Sequence, residues 1–375
     1  FEIFRPHLEK IVKLKQDECK YIREKGHPYN TLLDAYEEGM TVEKLIPVFN
    51  NLKKDLIGLL EKIKSSEIHK KQKRVLLKGN FSINEQRKFC DDVISRIGLK
   101  REISRLDLSM HPFTDKVGID DVRITTNFRE NPLFSFESTI HEAGHALYEL
   151  NLPKKEANNV LGEVPSLGMH ESQSRFWENM LGKSESFWRF YYPKFKKAYN
   201  LKGDFEQFFR EVNFVEPSFI RIESDEITYC LHIILRFEIE LGLIEGKIKV
   251  KDLPKVWNQK MQTIFGIKPR NDREGVLQDM HWSQGALGYF PTYAIGTIYA
   301  AQLYEKLKHD KKNIEVQIAK GDYSQVGDWL KKNIHSLGSS MLANDVIKKI
   351  CGEGLNHKNY ISYLNRKFSK IYKLK

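Results

Sequence analysis

The pentapeptide His141-Glu142-Ala143-Gly144-His145 places two imidazoles four residues apart, with a carboxylate beside the first of them. Residues four apart lie on one face of an α-helix, so both imidazoles can reach the same metal ion. Glu142 can then take a proton from an attacking water and pass it to a leaving amine. This HExxH pattern predicts a zinc site that hydrolyses an amide bond.

A surface helix with two solvated histidines is the alternative interpretation of this motif. The residues around it are apolar (Ile140, Ala143, Ala146 and Leu147), which predicts a buried helix face and argues against that alternative. A glycine inside a helix costs about 1 kcal/mol relative to alanine. We therefore expect another backbone, or the metal site itself, to approach Gly144 closely.

A catalytic zinc ion also needs a third protein ligand and an open coordination position. Glu171 is the best candidate, because a loop before its predicted helix lets that helix pack across the HExxH helix. His170 is the rival ligand, but neighbours on a helix point in different directions. An ordinary acidic residue in the first turn of a helix is the alternative interpretation of Glu171.

The elements that position these residues are predicted to be mainly α-helices. Apolar residues recur at helical spacing over 1–26. Thr41 is a predicted N-cap for a helix to about residue 64, and Ser82 with Glu85 forms a capping-box pattern for a helix to about residue 97. Further helices are predicted at 134–150, 168–180, 186–198, 226–245, 253–265, 291–307, 322–334 and 342–351.

A small sheet is predicted in the middle of the chain. Residues 104–109 and 121–127 alternate apolar and polar side chains, which favours strands. The second of these strands is a candidate edge for binding an extended peptide backbone. Residues 266–291 are rich in Gly, Asp, His and aromatic residues and fit no long regular element.

The charge and the cysteines narrow the class of protein. The net charge is +11, but the basic residues are scattered among 50 acidic ones without a nucleic-acid motif, so solvated helix faces explain the charge and no nucleic-acid partner is expected. No run has the apolar length of a membrane span. The four cysteines form no CxxC pair and no secretory signal is visible, which together predict a cytoplasmic protein.

Six motifs in order along the chain resemble one known family. They are HPF at 111–113, DVRIT at 121–125, HEAGH at 141–145, HESQ at 170–173, IRIESD at 220–225 and GVLQDMHW at 275–282. Together they resemble the thermostable carboxypeptidases typified by carboxypeptidase Taq, the metallopeptidase family M32. Ser224 stands where the fifth motif usually has Ala. Members are usually longer at the N-terminus, so we expect 1–375 to be a single peptidase domain that lacks the family's N-terminal helical segment.

The resemblance implies a fold and a metal site. The fold is a mainly α, gluzincin-like helical metallopeptidase with a deep groove and a small β-sheet beside the HExxH helix. His141, His145 and Glu171 would hold zinc, with Co²⁺ as a substitute, and Glu142 would be the general base.

The resemblance also implies that Arg221, in IRIESD, grips the C-terminal carboxylate of a peptide. A guanidinium fork suits a carboxylate, because it can donate two parallel hydrogen bonds. A salt bridge on a helix face with Glu223 or Asp225 is the alternative interpretation of Arg221.

The same likeness implies further site residues. The oligopeptidases related to thimet oligopeptidase have a similar arrangement of His followed by Gly-Tyr, which predicts that His281 and Tyr289 stabilise the oxyanion, with Tyr293 in reserve. An aromatic core cluster is the alternative for these three residues.

Two more polar residues are predicted substrate-binding groups, namely His111 and Arg123. A structural pair with Asp120 or Asp121 is the alternative for Arg123. Asp279 is a candidate to orient a metal-binding imidazole.

The implied activity is that of a zinc metallocarboxypeptidase that releases C-terminal amino acids from peptides with broad specificity, often as a homodimer. The alternatives are an oligopeptidase or dipeptidyl carboxypeptidase with the same zinc centre, and a truncated peptide-binding fragment without activity. Peptides are the expected partners, and neither nucleic acid nor a membrane is expected.

Overall fold

Helices make up most of the computed structural model, which describes residues 1–22, 26–79 and 81–374. In chain order the elements are α1 (Arg5–Ile22), α2 (Asn30–Asp34), α3 (Val42–Ser65), α4 (Glu67–Lys71), α5 (Ile83–Arg96), β1 (Ser104–Leu108), β2 (Thr114–Gly118), β3 (Asp121–Thr126), α6 (Pro132–Asn151), α7 (Leu167–Arg175), α8 (Glu185–Tyr199), α9 (Phe205–Val212), α10 (Thr228–Ile244), α11 (Leu253–Phe265), α12 (Pro291–Asp310), α13 (Ile314–Ile318), α14 (Ser324–Asn333), α15 (Ala343–Cys351) and α16 (Lys358–Tyr372). The predicted fold class, mainly α with a small sheet, is confirmed.

Capping side chains begin two helices as predicted. The Thr41 hydroxyl accepts a hydrogen bond from the N–H of Lys44 at the start of α3, and the Ser82 hydroxyl accepts one from the N–H of Glu85 at the start of α5. Helix α1 lies within the predicted range 1–26, of which residues 23–25 are outside the described part of the chain.

The chain divides into two compact units. The first unit is Phe1–Lys70, Val215–Ile295 and Asn356–Lys375, and the second is Lys71–Phe214 and Gly296–Leu355. The single domain expected over 1–375 stays a prediction. Among the described residues, no helix combines the length and the hydropathy that crossing a membrane requires.

In the first unit, α3 packs against α10 and α16. Apolar residues of α3 recur at helical spacing and are buried, among them Leu45, Phe49, Leu52 and Leu56. The ring of Phe49 meets that of Phe237 on α10 edge to face, with centroids 5.2 Å apart. Helix α10 is thereby buried on almost every side, which explains its nearly continuous apolar sequence.

In the second unit, a three-stranded sheet has the order β1-β3-β2 and lies beside α6, the HExxH helix, as predicted. Strand β3 pairs in parallel with β1 and antiparallel with β2, and Val122 and Ile124 on β3 are fully buried. Because β3 has a partner on both sides, the prediction that 121–127 is an edge strand is wrong. The two edge strands are β1 and β2, and β2 was not predicted because TDKVG is short and mostly polar.

Helices α9 and α16 were also not predicted. In α16 the buried residues Tyr360, Leu364, Phe368 and Ile371 recur at helical spacing, so the apolar pattern of the sequence was sufficient to predict it. Helix α9 is short but strongly amphipathic, and the side chain of Asp204 caps its N-terminus by accepting from the N–H of Gln207. Residues 266–291, predicted to be irregular, hold no element longer than the 3₁₀ turn His281–Gln284 before α12 begins at Pro291.

Candidate metal centre

A backbone contact between α6 and α7 creates the site. An added Cβ on Gly144 would lie 2.7 Å from both the backbone oxygen of Gln173 and the Cα of Ser174. The close approach predicted for this glycine is therefore confirmed. Gly296 on α12 is equally close to Glu171, because an added Cβ on Gly296 would lie 2.7 Å from the Cβ of Glu171. Glycines at these two positions let Glu171 lie against the face of α6 that carries the motif.

The three predicted metal ligands converge on one point. One ligand atom from each of His141, His145 and Glu171 lies within 4.8 Å of the others. The Oε2 atom of Glu171 is 3.4 Å from Nε2 of His145 and 3.7 Å from Nε2 of His141. Ligand atoms about 2.1 Å from a tetrahedral zinc ion lie about 3.4 Å from each other, so two imidazoles and a carboxylate at these separations fit a catalytic zinc.

Electrostatics favours the metal-binding forms of His145 and Glu171. For His141, burial would lower the pKa, but the neighbouring carboxylates outweigh it and raise the pKa, so metal binding there displaces a proton. Burial and the neighbouring His170 lower the pKa of His145 to about 3, which keeps this imidazole neutral. Burial alone would raise the pKa of Glu171, but the charges of Arg175 and His141 outweigh it and hold the carboxyl ionised. A neutral imidazole and an ionised carboxylate are the protonation states that zinc requires.

Two residues that were not predicted from the sequence orient these ligands. The Oε2 atom of Glu178 lies 2.7 Å from Nδ1 of His141 and accepts its hydrogen bond. Arg175 donates from Nη1 to the same oxygen of Glu178 at 3.1 Å and from Nε to Glu171 at 2.7 Å. Burial would raise the pKa of Glu178, but Arg175 and the bond from His141 lower it to about 2.

The backbone geometry around Glu178 is unusual. Residues Phe176–Leu181 continue α7 as a buried π-helical segment, and Glu178 lies inside it. Such segments occur often at functional sites. Arg175 and Glu178 are opposite charges three residues apart beside the aromatic pair Phe176 and Trp177, which is the signal in the sequence that could have indicated their pairing.

The predicted base, Glu142, is held by strand β2. The hydroxyl of Thr114 on β2 lies 2.7 Å from Oε2 of Glu142 and 3.0 Å from its backbone oxygen. Burial raises the pKa of Glu142, which moves this carboxyl toward the range in which it can both accept and release a proton. Thr114 could not be found from the sequence, because nothing there predicted β2.

The rival ligand, His170, lies outside the three-residue cluster. Its Nε2 atom is 3.0 Å from Oε1 of Glu149, and its ring stacks on that of His145 with centroids 4.3 Å apart. The structure thus separates the roles of these adjacent residues as the helical geometry predicted.

Arg221, in the first unit, is buried and faces an acid other than the two considered. This acid is Asp279, whose Oδ1 accepts hydrogen bonds from Nε of Arg221 at 3.0 Å and from Nη2 of Arg221 at 2.9 Å. Asp225 instead accepts from the backbone N–H groups of Ile227 and Thr228. The alternative of a pair with Glu223 or Asp225 is therefore wrong.

Asp279 lies between two arginines. Arg236, which is fully buried, donates from Nε to Oδ2 at 2.7 Å, while Arg221 occupies Oδ1. The Oδ1 atom is 3.9 Å from Nδ1 of His281, which is too long for a hydrogen bond. The carboxylate predicted to orient an imidazole thus orients arginines instead.

His281, Tyr289 and Tyr293 are neighbours in the first unit. The Nε2 atom of His281 lies 3.1 Å from the hydroxyl of Tyr293, and its ring centroid is 5.2 Å from that of Tyr289. Burial and the charge of Arg221 lower the pKa of His281 to about 4, so the imidazole is neutral at physiological pH. The three residues belong to an aromatic cluster that also includes Phe290, as the alternative interpretation expected, and their oxyanion role stays a prediction.

The other two predicted substrate-binding residues lie in the second unit. Arg123 on β3 makes a bidentate pair with Asp121, with Nε–Oδ1 at 2.6 Å and Nη2–Oδ2 at 2.7 Å. This is one of the two structural pairs foreseen, whereas Asp120 pairs with Lys154. His111 is exposed in the loop between β1 and β2.

A helical fold with an HExxH helix crossed by a second helix bearing an acidic third ligand is that of a helical metallopeptidase. The family model for the carboxypeptidase Taq (M32) metallopeptidases matches residues 1–368. The chain therefore belongs to this family, and membership makes it a peptide hydrolase of the metallocarboxypeptidase class.

Individual relatives agree with this assignment. The chain is 38% identical to thermostable carboxypeptidase 1 of Thermus thermophilus, covering 98% of this chain and 74% of that protein. It is 38% identical to carboxypeptidase 1 of Bacillus subtilis, covering 100% of this chain and 75% of that protein. The crystal structure of an M32 carboxypeptidase from Deinococcus radiodurans superposes with a TM-score of 0.95 at 34% identity, over 100% of this chain and 76% of that one. These matches favour a carboxypeptidase over the oligopeptidase and over an inactive fragment.

Proposed function

We propose that this chain is a zinc metallocarboxypeptidase that releases C-terminal amino acids one at a time from peptides, with broad specificity. His141, His145 and Glu171 are its metal ligands. The observation that carries the proposal is the convergence of two imidazole nitrogens and one carboxylate oxygen within 4.8 Å of each other.

The chemistry divides between the metal and the residues around it. Zinc, when bound, supplies a Lewis acid that activates water and polarises a carbonyl group. Glu142 takes the proton of the attacking water on its carboxylate and gives it to the leaving amine. Thr114 holds that carboxylate in place through its hydroxyl, 2.7 Å from Oε2. Arg175 and Glu178 keep Glu171 and His141 in the orientation that the metal requires.

Arg221 is the group proposed to choose the end of the peptide. Its guanidinium is held by Asp279 through Nε and Nη2, and its Nη1 lies 3.4 Å from the hydroxyl of Tyr229. With Arg236 beside it, two buried positive charges face one carboxylate of Asp279, which leaves a local excess of positive charge. A peptide's terminal carboxylate neutralises that excess, and an internal peptide bond does not.

His281 and Tyr289 are proposed to stabilise the oxyanion. A neutral imidazole and a phenol can each donate one hydrogen bond to negative charge that develops on a carbonyl oxygen. Tyr293, hydrogen-bonded to His281 at 3.1 Å, is the reserve donor. Arg123 and His111 are proposed as further contacts to the substrate.

Three finer assignments complete the proposal. The metal is zinc, with Co²⁺ as a substitute, because two imidazoles and one carboxylate are the donor set of catalytic zinc sites. The protein is cytoplasmic, which is supported by four cysteines scattered singly along the chain. It forms a homodimer, which is supported by the family resemblance.

The test uses pairs of peptides that differ only in a free or an amidated C-terminus, with products identified by mass spectrometry. We expect single amino acids from the free peptides, little cleavage of the amidated ones, and loss of activity after chelation that added zinc restores. Arg221→Ala should abolish the preference for the free terminus. Arg270→Ala, at an exposed arginine paired with Glu274, is the matched control.

The other outcomes identify the alternatives. Release of dipeptides would indicate a dipeptidyl carboxypeptidase. Equal cleavage of free and amidated peptides would overturn the role of Arg221.

A further inference from the structure

His281 and Tyr289 lie at the two ends of a nine-residue segment with little regular structure of its own. The segment, residues 281–289, begins with the 3₁₀ turn His281–Gln284 and continues through Gly285 and Gly288, whose φ angles are +72° and +96°. Groups that stabilise an oxyanion must be held within a few tenths of an ångström of their working geometry. The rest of the fold must therefore supply the rigidity that this segment lacks.

One buried carboxylate bonds to both ends of the segment. Glu240, on α10 and fully buried, accepts on Oε1 from the indole N–H of Trp282 at 2.7 Å. It accepts on Oε2 from the backbone N–H of Gly288 at 3.0 Å. Trp282 follows His281 directly and Gly288 precedes Tyr289 directly, so each bond ends one residue from a proposed oxyanion group.

A third bond ties the same carboxylate to the residue that precedes α2. The hydroxyl of Tyr29 donates to Oε2 of Glu240 at 2.5 Å. Gly288 also packs directly against α2, because an added Cβ on Gly288 would lie 2.4 Å from the backbone oxygen of Leu32. The Gly288 end of the segment is thus fixed against both α10 and residues 29–32.

Arg236 lies one helical turn before Glu240 on α10 and extends the same arrangement. It donates to Oδ2 of Asp279 at 2.7 Å and to Oε1 of Gln278 at 2.8 Å, two residues shortly before His281. Residues four apart share one helix face, so one face of α10 holds the chain on both sides of His281.

The carboxylate is costly for the fold. Burying an acid away from water is unfavourable, and burial raises the pKa of Glu240 to about 7 in spite of three donors. An apolar side chain could fill this space in the core. Only a group with two acceptor oxygens can accept the hydrogen bonds of Trp282, Gly288 and Tyr29 together. The arrangement of these donors therefore calls for a role beyond filling space.

We propose that Glu240 is a positioning residue for the reaction, which sets His281 and Tyr289 in place by fixing both ends of the segment between them. The inference rests on the oxyanion role proposed above for those two residues. Glu240 itself touches neither substrate nor metal in this role.

The test compares Glu240→Gln with Glu211→Gln. A glutamine at 240 can satisfy at most two of the three donors, since its amide nitrogen cannot accept. Glu211 is a matched control, because it is also a buried carboxylate and accepts from the backbone N–H groups of Val75, Leu76 and Leu77 in the second unit. We expect Glu240→Gln to lower kcat at least about tenfold with KM and metal content kept, and Glu211→Gln to leave kcat within about twofold.

A second measurement reports the position of the segment without using activity. Amide hydrogen exchange followed by mass spectrometry should be faster in residues 281–289 of Glu240→Gln, and unchanged there in Glu211→Gln. Trp282→Phe removes a single donor and keeps the carboxylate, so it tests the same bond if Glu240→Gln does not fold. It should lower kcat and speed exchange in the same direction.

His281→Ala and Tyr289→Phe separate this inference from the proposed function. If both variants keep the parent kcat, the oxyanion role is wrong. If they lose kcat while Glu240→Gln and Trp282→Phe behave like Glu211→Gln, the oxyanion role stands and the positioning role of Glu240 is overturned. In the supporting case, Glu240→Gln added to His281→Ala lowers kcat by much less than it does alone.

Discussion

The Nδ1 atom of His141 donates a hydrogen bond of 2.7 Å to Oε2 of Glu178, which joins the HExxH helix to the π-helical segment immediately after α7. With Nδ1 as the donor of this bond, Nε2 is the nitrogen of His141 that is left to bind a metal, on the side of Glu171. The same oxygen of Glu178 receives Arg175, so the orientation of both a nitrogen and an oxygen ligand depends on one carboxylate.

Removing this carboxylate should weaken metal binding. Glu178→Gln replaces an acceptor with an amide that can turn either its oxygen or its nitrogen toward His141, and we expect about 10- to 100-fold lower zinc affinity. Competition with a chromogenic chelator measures it. Glu149→Gln is the control, because Glu149 bonds His170, an imidazole outside the ligand cluster. Equal affinities in the two variants would contradict the role of Glu178.

Loss of the proposed base should separate chemistry from metal binding. Glu142→Gln keeps the size of the side chain and its contact with Thr114, but it cannot take a proton, so we expect kcat to fall about 10²- to 10⁴-fold. Zinc content by atomic absorption should stay at the parent level. Glu137→Gln, on the same helix and paired with Lys183 at 3.4 Å, should keep activity. A fully active Glu142→Gln would exclude this residue as the base.

The contact at Gly144 predicts opposite effects of the same substitution at two helical glycines. In Gly144→Ala the new Cβ would meet backbone at 2.7 Å, and we expect a loss of about 1–3 kcal/mol in the free energy of unfolding. Gly58, inside α3, has no atom within 4 Å of an added Cβ, so Gly58→Ala should gain about 0.5–1 kcal/mol. Urea denaturation of both variants measures the difference, and a gain at both positions would refute the close crossing.

Asp279 should matter for stability as well as for substrate binding. Asp279→Asn leaves Arg221 and Arg236 buried with no ionised partner at this position, and we expect the free energy of unfolding to fall by about 3–5 kcal/mol. KM for peptides with a free C-terminus should also rise, because Arg221 loses its orientation. Glu274→Gln removes the partner of the exposed Arg270 and should cost less, since solvent screens that pair. Similar losses in both variants would contradict the buried network.

Glu240 should make stability depend on pH. Its pKa is raised from 4.5 to about 7 by burial, so the fold favours the protonated carboxyl. Its contribution to stability is complete below pH 4.5 and is lost as the pH rises through about 7, by about 3 kcal/mol in total. Glu240→Gln has no such titration. The stability of the variant relative to the parent should therefore increase over that range in urea denaturation, and a constant difference would show that Glu240 does not titrate there.

Local patterns in the sequence were sufficient for much of the fold and for the centre of the site. Spacing of four on a helix brings His141 and His145 together, because helical geometry alone decides which residues share a face. Gly144 could be interpreted correctly because a glycine inside a helix is unfavourable without a steric reason. The capped starts of α3 and α5 were predictable because a cap depends on residues three apart.

The supporting contacts could not be predicted, because they join residues that are far apart in sequence. Thr114 contacts Glu142 because it lies on β2, a short polar strand that the sequence did not predict. The partner of Arg221 is Asp279, which lies 58 residues away along the chain. The edge of the sheet was misassigned because strand order is set by tertiary pairing rather than by alternation. The bond between Glu178 and His141 depends on a π-helical turn that no spacing rule of an α-helix describes.

The π-helical segment Phe176–Leu181 makes the length of this stretch as important as its composition. A π turn holds about one residue more than an α turn, so deleting Phe176 or Trp177 would let the segment return to an ordinary α-helix and move Glu178 by one helical position, about 100° around the axis. Arg175 would stay in place while Glu178 turned away from His141. A single-codon deletion ahead of Glu178 in this segment would therefore impair the metal centre even though every ligand codon was intact.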